Sequence, residues 1–248
     1  MLSGNKKVID MFSMIIKDAS RAAAGADSSV YFLKSAILDH QSFEELIFHN
    51  LFSEAQKRLP ENIDYKKIFM DYLSSNPDAI NLIVDDLKAT YTKDPACNYY
   101  YEPIVFLKGF KALQIHRIGS WFWSRGERFL PLWLQSIVAE LYQVDIHPSV
   151  SFGTAIFIDH ATNLVIGENV SIGSGVSLLH SVSISLKGSG SEGEIIIEDN
   201  VLVSAGSCII GDLVIGNNSK VGAGSLINAT VLPKSTVVGV PMKSIPLA

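Results

Sequence analysis

The sequence predicts an α+β chain in which an all-helical N-terminal part precedes a parallel β-helix of hexapeptide repeats. An aliphatic or aromatic residue returns every six positions in the second half, with small turn-forming residues between, and the first half shows helical spacing. Neither strand alternation nor helical periodicity would hold a six-residue period over roughly eighty residues. A hexapeptide repeat is the signature of a β-helix in which each coil stacks on the last.

The hexapeptide repeat falls into two runs. The first is Ile146, Phe152, Ile158, Leu164, Val170, Val176 and Val182; the second is Ile197, Val203, Ile209, Ile215, Val221 and Ile227. From Val182 to Ile197 the step is two and a half hexads, where a full coil would need three. A loop at 185–195 is therefore expected to leave the prism. It is interpreted equally well as a flexible surface loop or as a wall of a binding site.

The first half is predicted to be helical from about Asp10 to Tyr142. Apolar residues at helical spacing predict helical segments in 29–51, 65–73, 79–91, 104–125 and 130–142, with Phe106 in the apolar stripe of the fourth. Ser42 and Glu45 form a capping-box pattern, and the residue before Pro95 is biased out of the α region. Helical spacing ends near Gln143. We therefore expect a helical domain at 1–143 and a β-helix domain at 144–248.

Composition excludes several classes of protein. Hydrophobic residues make up 48% and charged residues 18%, which suits a folded core and not disorder. A net charge of −5 makes nucleic acid an unexpected partner. No apolar run reaches the length of a membrane span, and no signal-peptide pattern begins the sequence, so a cytoplasmic location is expected. Cys97 and Cys208 are interpreted as reduced thiols rather than a bridge.

One acid–imidazole pair does not fit a plain hexad turn. Asp159 and His160 stand where small or polar residues are usual. Histidine is the usual general base near neutral pH, and an acid beside it can fix its tautomer. From the residues alone, His160 is as easily structural as functional. His180 could line the same groove one coil away, whereas His147, before Pro148, is interpreted as structural.

Two triplets of small residues could let an extended ligand approach the backbone. They are Ser204-Ala205-Gly206 and Gly222-Ala223-Gly224. The same triplets also suit ordinary β-helix turns, so on their own they are weak evidence.

Together these features resemble the serine acetyltransferases, acetyl-CoA-dependent enzymes that O-acetylate L-serine ahead of cysteine synthesis. The residues that carry the resemblance are Thr92-Lys93-Asp94-Pro95-Ala96, the run 106–114, His116-Arg117-Ile118-Gly119, Val144-Asp145-Ile146-His147-Pro148, Asp159-His160-Ala161-Thr162, Val165-Ile166-Gly167-Glu168 and Gly239-Val240-Pro241. The hexads alone would indicate only the wider group of left-handed β-helix acyltransferases. Their combination with the helical domain is more specific.

The resemblance implies a left-handed β-helix and a role for each site residue. His160 would be the general base and Asp145 its orienting carboxylate. Asp94 and Asp159 would face the amino group of the acceptor, with His180 beside them. Acetyl-CoA would be the co-substrate, without a metal, lying along the prism between subunits. The residues expected to contact it are Ser185, Lys187, Gly188, Ser204, Ala205, Gly222 and Ala223. The family assembles as homotrimers, often paired into dimers of trimers (hexamers) through the helical domains.

The loop departs from the family pattern. There the family has Gly-Gly-Thr-Gly and an Arg-His pair that holds the serine carboxylate, whereas this sequence has Ser185-Leu186-Lys187-Gly188 and Glu192-Gly193-Glu194. Losing such charge-assisted hydrogen bonds costs on the order of 1.5–3 kcal/mol each. An acceptor without a free carboxylate is therefore an alternative to L-serine: a carrier-bound serine, an ester or amide, an amino alcohol or a sugar. A carrier protein is then a conceivable partner.

A second departure concerns the end of the chain. The family's C-terminal extension ending in isoleucine binds cysteine synthase, and this sequence ends at Pro246-Leu247-Ala248. No complex with cysteine synthase is expected.

Two other classes of function remain open. A γ-type carbonic anhydrase on the same prism would need three convergent histidines for zinc. His147, His160 and His180 are the candidates, but neither step between them equals a coil of three hexads. Convergence is therefore expected only between neighbouring chains. The third class is a catalytically silent scaffold or binding subunit.

Overall fold

A computed structural model describes the chain over residues 5–24, 30–56, 63–186, 188 and 193–245. Its contacts divide the chain into two compact units, Met1–Lys111 and Ala112–Ala248. The helices are α1 (Lys6–Ala24), α2 (Val30–Leu33), which continues into a π-helical turn (Lys34–Leu38), α3 (Phe43–Gln56), α4 (Tyr65–Ser75), α5 (Ala79–Lys93), α6 (Tyr101–Val105), α7 (Lys108–Ser124) and α8 (Phe129–Tyr142). No described helix is both long enough and apolar enough to cross a membrane.

The first unit is a helical domain whose core follows from amphipathic spacing. Val8, Met11, Ile15 and Ala19 recur at three- and four-residue steps along α1, and all four are buried. A stripe of this kind turns one face of the helix towards the other helices and leaves the opposite face to solvent.

The predicted capping box is present at the start of α3. Ser42 Oγ accepts from the amide of Glu45 at 3.2 Å, and the Glu45 carboxylate accepts from the amide of Gln41 at 3.0 Å. These contacts use amides that α3 cannot bond internally, so they fix the point at which the helix begins.

The predicted helix at 104–125 is wrong in one respect. The structure has two helices there, α6 and α7, because the amides of Phe106 and Leu107 close the last turn of α6 on the carbonyls of Glu102 and Pro103. Phe106 was expected in the apolar stripe but is 58% exposed, and its ring stacks on Phe32.

The second unit is dominated by a left-handed parallel β-helix. Its strands are β1 (Val144–Ile146), β2 (Ser151–Phe152), β3 (Phe157–Ile158), β4 (Leu164–Ile166), β5 (Val170–Ile172), β6 (Ser177–Leu178), β7 (Ser183–Ser185), β8 (Ile195–Ile197), β9 (Leu202–Val203), β10 (Cys208–Ile210), β11 (Leu213–Ile215), β12 (Lys220–Val221), β13 (Leu226–Ile227), β14 (Thr236–Val238) and β15 (Lys243–Ile245). Both cysteines are free thiols.

Three sheets form the faces of the prism. Sheet A runs β1-β4-β7-β10-β13, sheet B runs β2-β5-β8-β11, and sheet C runs β3-β6-β9-β12-β14 and ends on antiparallel β15. Inward side chains stack coil on coil. In sheet A the stack is Ile146, Ile166, Ile184, Ile209 and Ile227, each at most 3% exposed. These stacks explain the six-residue period, because every coil must supply an apolar residue to each face.

Two coils are longer than the three hexads that a regular coil requires. Val165 pairs with Ser183, three hexads on, but Asp145 pairs with Val165, three hexads and two residues on. The two additional residues lie in the corner 159–163, between β3 and β4. Ser183 pairs with Cys208, three hexads and seven residues on, and the additional residues lie between β7 and β8. The additional residues between β7 and β8 thus coincide with the loop predicted at 185–195.

The first coil is fixed by α7. Arg117 donates to the carbonyls of Phe152 (3.2 Å) and Gly153 (2.6 Å), and His116 Nε2 donates to the carbonyl of Val150 at 3.0 Å. These bonds satisfy backbone groups that no preceding coil could pair. For this reason the compact units divide inside α7, although helix gives way to strand only at Gln143.

Candidate active site

One edge of the prism brings most of the predicted site residues together. Its corners each follow a strand of sheet C and precede a strand of sheet A. They are 159–163, 179–182, 204–207 and 222–225. We call these four segments the histidine edge.

Hydrogen bonds stack the corners of the histidine edge directly on one another. The amide of Ser181 donates to Thr162 O (2.7 Å), that of Gly206 to His180 O (3.0 Å) and that of Gly224 to Ala205 O (2.9 Å). The order along the edge, from the N-terminal coil upward, is therefore His160, His180, the Ser204 triplet and the Gly222 triplet.

The lowest corner turns the imidazole of His160 outward. His160, Ala161 and Asn163 have φ values of 56°, 61° and 59°, a left-handed conformation that non-glycine residues seldom adopt. Ala161 points inward and is fully buried, while the His160 side chain is 73% exposed. The two additional residues of this coil make the turn possible. Backbone strain of this kind tends to occur at functional sites.

Asp145 was predicted to orient His160, and Asp159 to contact the amino group of the acceptor. In the structure the two acids have different neighbours. Asp159 Oδ1 lies 3.7 Å from His160 Nε2, close enough for a charge interaction but too far for a hydrogen bond. Asp145, on β1, accepts a hydrogen bond from Gln135 Nε2 at 2.6 Å. The role of Asp145 as the orienting carboxylate stays a prediction. Gln135 was missed by the sequence reasoning, because no motif announces a contact between α8 and β1.

His180 lies against His160 within one chain. The ring centroids are 5.8 Å apart with an interplanar angle of 74°. The expectation that these histidines could converge only between neighbouring chains is therefore wrong for this pair. It assumed a coil of three hexads, whereas the coil that joins them is two residues longer.

His147 has a structural environment. It follows β1, at a different corner from His160 and His180, so the three do not converge within one chain. Its Nδ1 accepts from the amide of Ser149 at 3.2 Å, and its ring packs edge-on against Trp123. Burial lowers the pKa of His147, and Arg128 lowers it further against the opposing effects of Glu168 and Asp145.

The small residues predicted to contact acetyl-CoA continue the histidine edge. Ser204 and Ala205 form the corner above His180, and Gly222 and Ala223 the corner above that. Gly224 has φ 66°, and a Cβ placed on it would meet nothing within 4 Å. These corners thus offer exposed backbone with little side chain over it.

The loop residues predicted to contact the same ligand lie elsewhere. Ser185 ends β7 at the opposite end of that strand from the histidine edge, and Gly188 beyond it is exposed. Lys187 and Glu192 lie outside the described residues.

Glu194, the described acid of the loop, is held on sheet B. Its carboxylate accepts from the hydroxyl of Ser171 at 2.5 Å, and its amide donates to Asp212 Oδ1 at 3.1 Å. Gly193 has φ 127°, and a Cβ there would come within 2.8 Å of Asp212. This end of the loop therefore requires glycine and carries no cation of its own.

Asp94 belongs to the helical unit and ends α5. Its amide bonds the carbonyl of Thr90 at 3.0 Å, and its carboxylate accepts from the amide of Ala96 at 2.9 Å. This local turn follows from Asp-Pro at a helix end. The predicted contact of Asp94 with an acceptor amine stays a prediction.

A cavity of about 840 Å³ in the helical unit exceeds the groove of about 530 Å³ on sheet B of the prism. It lies between α1, α3 and α4 and is lined mainly by apolar side chains, with His40 and His49 at one side. We place the site at the histidine edge instead, because the acid–base groups and the accessible backbone are together there.

Comparison with known proteins identifies the family to which the chain belongs. The family model described as "Serine acetyltransferase, N-terminal" matches residues 11–115, and "Bacterial transferase hexapeptide (six repeats)" matches residues 194–229. The serine acetyltransferase of Buchnera aphidicola from Acyrthosiphon pisum is 36% identical over 96% of this chain and 87% of its own length.

Solved structures extend the similarity to the fold. The serine acetyltransferase of Brucella abortus in complex with coenzyme A has a TM-score of 0.90 and 32% identity, covering 98% of this chain and 97% of its own. The soybean enzyme complexed with serine has a TM-score of 0.89 and 34% identity, covering 98% of this chain and all of its own. The chain therefore belongs to the serine acetyltransferase family of acyltransferases.

Proposed function

We propose that this chain transfers the acetyl group of acetyl-CoA to the hydroxyl of L-serine or a serine-like amino alcohol, with His160 as general base. Relatives of the same fold are described with coenzyme A and with serine bound. The observation that carries the proposal is the exposed imidazole of His160, held beside Asp159 at the foot of an edge of accessible backbone.

The proposed chemistry uses neutral His160. Its free nitrogen takes the proton of the acceptor hydroxyl while the oxygen attacks the thioester carbon. The tetrahedral intermediate then collapses and expels the thiolate of coenzyme A, which recovers the proton from the imidazolium. Asp159, 3.7 Å from the imidazole, is a countercharge beside the imidazolium that forms during this cycle. We propose that it also attracts an amino group on the acceptor.

Acetyl-CoA is proposed to lie along the histidine edge above His180. The corners of Ser204, Ala205, Gly222 and Ala223 let an extended pantetheine chain approach the backbone closely. Ser185, at the end of β7 away from this edge, and Gly188 beyond it would in an assembly serve a neighbouring subunit, and the contact from Lys187 stays a prediction. The family resemblance implies a homotrimer or a dimer of trimers, and this arrangement suits such an assembly; sedimentation of the purified chain tests it.

Two kinds of acceptor are candidates. Family membership favours free L-serine. The loop favours an acceptor without a free carboxylate, since Glu194 stands near where the family carries its Arg-His pair. A thiol-release screen across L-serine, serine amide, serine esters, homoserine, ethanolamine and sugars decides between them. A clear preference for L-serine would overturn the masked-acceptor alternative, and release with none of these would overturn the proposed function.

Absence of a complex with cysteine synthase also stays a prediction. A pull-down with cysteine synthase tests it, and stable capture would contradict it.

A further inference from the structure

We propose that Gln135 is a positioning residue for acyl transfer, acting through the Asp145 carboxylate that orients His160. The inference rests on the proposed function and adds to it a residue of α8. It comes from one short hydrogen bond between α8 and β1 and from the place of Asp145 beside the histidine edge.

A one-residue reversal of the chain brings Gln135 against Asp145. Only Gln143 joins the end of α8 to the start of β1, and it has φ 57° and ψ 41°. This left-handed conformation turns β1 back towards α8, so that a residue about two turns before the helix end meets the middle of the strand. Gln135 Nε2 then donates to Asp145 Oδ1 at 2.6 Å.

The chemistry of this bond determines what each side chain does. An ionised carboxylate only accepts hydrogen bonds, so the Gln135 amide must present its NH₂ group to Asp145. Hydrogen bonds to a charged group are shorter and stronger than those between neutral groups. Both side chains are half-buried, which limits competition from water. One oxygen of Asp145 is therefore held by α8, the rotation of the carboxylate is restricted, and the other oxygen is left for a second partner.

Asp145 lies in the coil directly beneath the corner that carries His160. The amide of Asn163, in that corner, donates to the carbonyl of Gln143 at 2.9 Å, and Asp145 pairs with Val165 above it. The neighbours of Asp145 on β1 are buried in the prism, so its own side chain lies on the outer face of sheet A. An orienting acid holds a base in one tautomer and one direction. The acid must therefore be held in one direction itself, and Gln135 supplies that support.

Two substitutions of similar size separate the hydrogen bond from packing. Gln135→Leu keeps the volume without a donor, and Gln135→Glu keeps the shape but sets a second carboxylate against Asp145. Thiol release at pH 8 should show kcat about tenfold lower for Gln135→Leu and up to about 10²-fold lower for Gln135→Glu, with KM for acetyl-CoA and acceptor nearly unchanged.

A role in packing alone would give the reverse order, because Glu is closer in shape to Gln than Leu is. Ser136→Ala, next along α8 and exposed, is the control expected to match wild type. A Gln135→Leu variant as active as wild type, or a Gln135→Glu variant less affected than Gln135→Leu, would overturn the proposal.

A double-mutant cycle tests whether Gln135 acts through Asp145. In the Asp145→Asn background, Gln135→Leu should lower kcat by less than about twofold, because no carboxylate remains to be positioned. A tenfold loss in both backgrounds would show that Gln135 acts by another route and would overturn the proposal.

Urea unfolding tests the hydrogen bond without any measurement of activity. Gln135→Glu should lower the urea midpoint, and Gln135→Glu with Asp145→Asn should recover it, because the amide at 145 can then donate to the carboxylate at 135. A Gln135→Glu chain that folds only with Asp145→Asn beside it gives the same answer.

The double variant should recover stability but not activity, since it has no carboxylate on β1 to orient His160. Failure to recover stability would overturn the proposed bond. A wild-type chain that releases no thiol with any acceptor would instead remove the proposed function, while leaving the stability result intact.

Discussion

The corner at 159–163 and the loop between Ser185 and Ile195 both lengthen a coil of the prism, by two and by seven residues. The short insertion stays within the stack: its backbone bonds the corner above and its one inward side chain is buried. The long insertion lies between β7 and β8, and its described end is tied to sheet B through Glu194.

The two insertions suit two different tasks on one scaffold. A two-residue insertion changes the direction of a side chain without loosening its support, which suits a general base that must be held in place. A seven-residue insertion can change its side chains without disturbing the core, which suits selection among acceptors. We therefore expect substitutions at the corner to affect the rate of transfer and substitutions in the loop to affect the choice of acceptor.

The largest effect is expected at the corner. His160→Ala should lower kcat by about 10³-fold or more, because the hydroxyl loses its proton acceptor. Thiol release measures it, with Lys67→Ala on the exposed face of α4 as a control expected to match wild type. Activity within tenfold of wild type in His160→Ala would contradict the assignment of the base.

The next largest effects are expected at Asp145 and Asp159, and substitution of these two acids should change different kinetic constants. Asp145→Asn should lower kcat by about 10²-fold with KM unchanged, since an orienting acid acts on the base. Asp159→Asn should mainly raise KM for acceptors that carry an amine, and should have less effect with an alcohol that lacks one. The opposite pattern, with kcat loss at Asp159 alone, would show that Asp159 orients His160.

The stability of the folded chain should depend on pH through His116, which bonds the first coil. The pKa of His116 is lowered from 6.5 to about 4, mainly by burial and to a smaller extent by Arg117 and His147, against the opposing bond to Val150. The unfolded chain takes up a proton below pH 6.5 and the folded chain does not, so stability is full above pH 6.5 and falls towards pH 4. Between pH 7 and pH 5 the loss should be about 2 kcal/mol.

Urea unfolding at the two pH values measures this loss. His116→Asn should show less of it, because the variant has no imidazole to titrate. An equal loss in both chains would contradict the assignment to His116.

The smallest effect is expected in the loop. Glu194→Gln removes a negative charge and should lower KM for free L-serine several-fold while leaving KM for serine amide unchanged, as expected for a screened surface charge. Ser171→Ala is the matched control, since it frees the carboxylate without removing its charge. A change of similar size for both substrates would show that Glu194 does not select against carboxylates.

The sequence predicted the prism well because its signal is physical and repeated. Each coil must place apolar residues on three faces, so the six-residue period marks the fold directly. The loop at 185–195 was predicted from the break in the same period. It also led to one error: the assumption of three hexads in every coil placed His160 and His180 out of step, whereas a coil longer by two residues brings them together.

Other features carried no sequence signal. The break at Phe106 was hidden because apolar spacing continues across it from α6 to α7. The bond from Gln135 to Asp145 joins two elements whose packing no local pattern describes. The resemblance to the serine acetyltransferases gave roles to Asp145 and Asp94 that the local residues alone could not supply.

We propose above all that acyl transfer occurs on the histidine edge. A crystal structure of the chain with coenzyme A tests it most directly. We expect the pantetheine chain along the corners of Ala205 and Ala223, with the sulfur next to His180 and within a few ångströms of His160. Coenzyme A bound with its sulfur remote from both histidines would show that transfer occurs elsewhere.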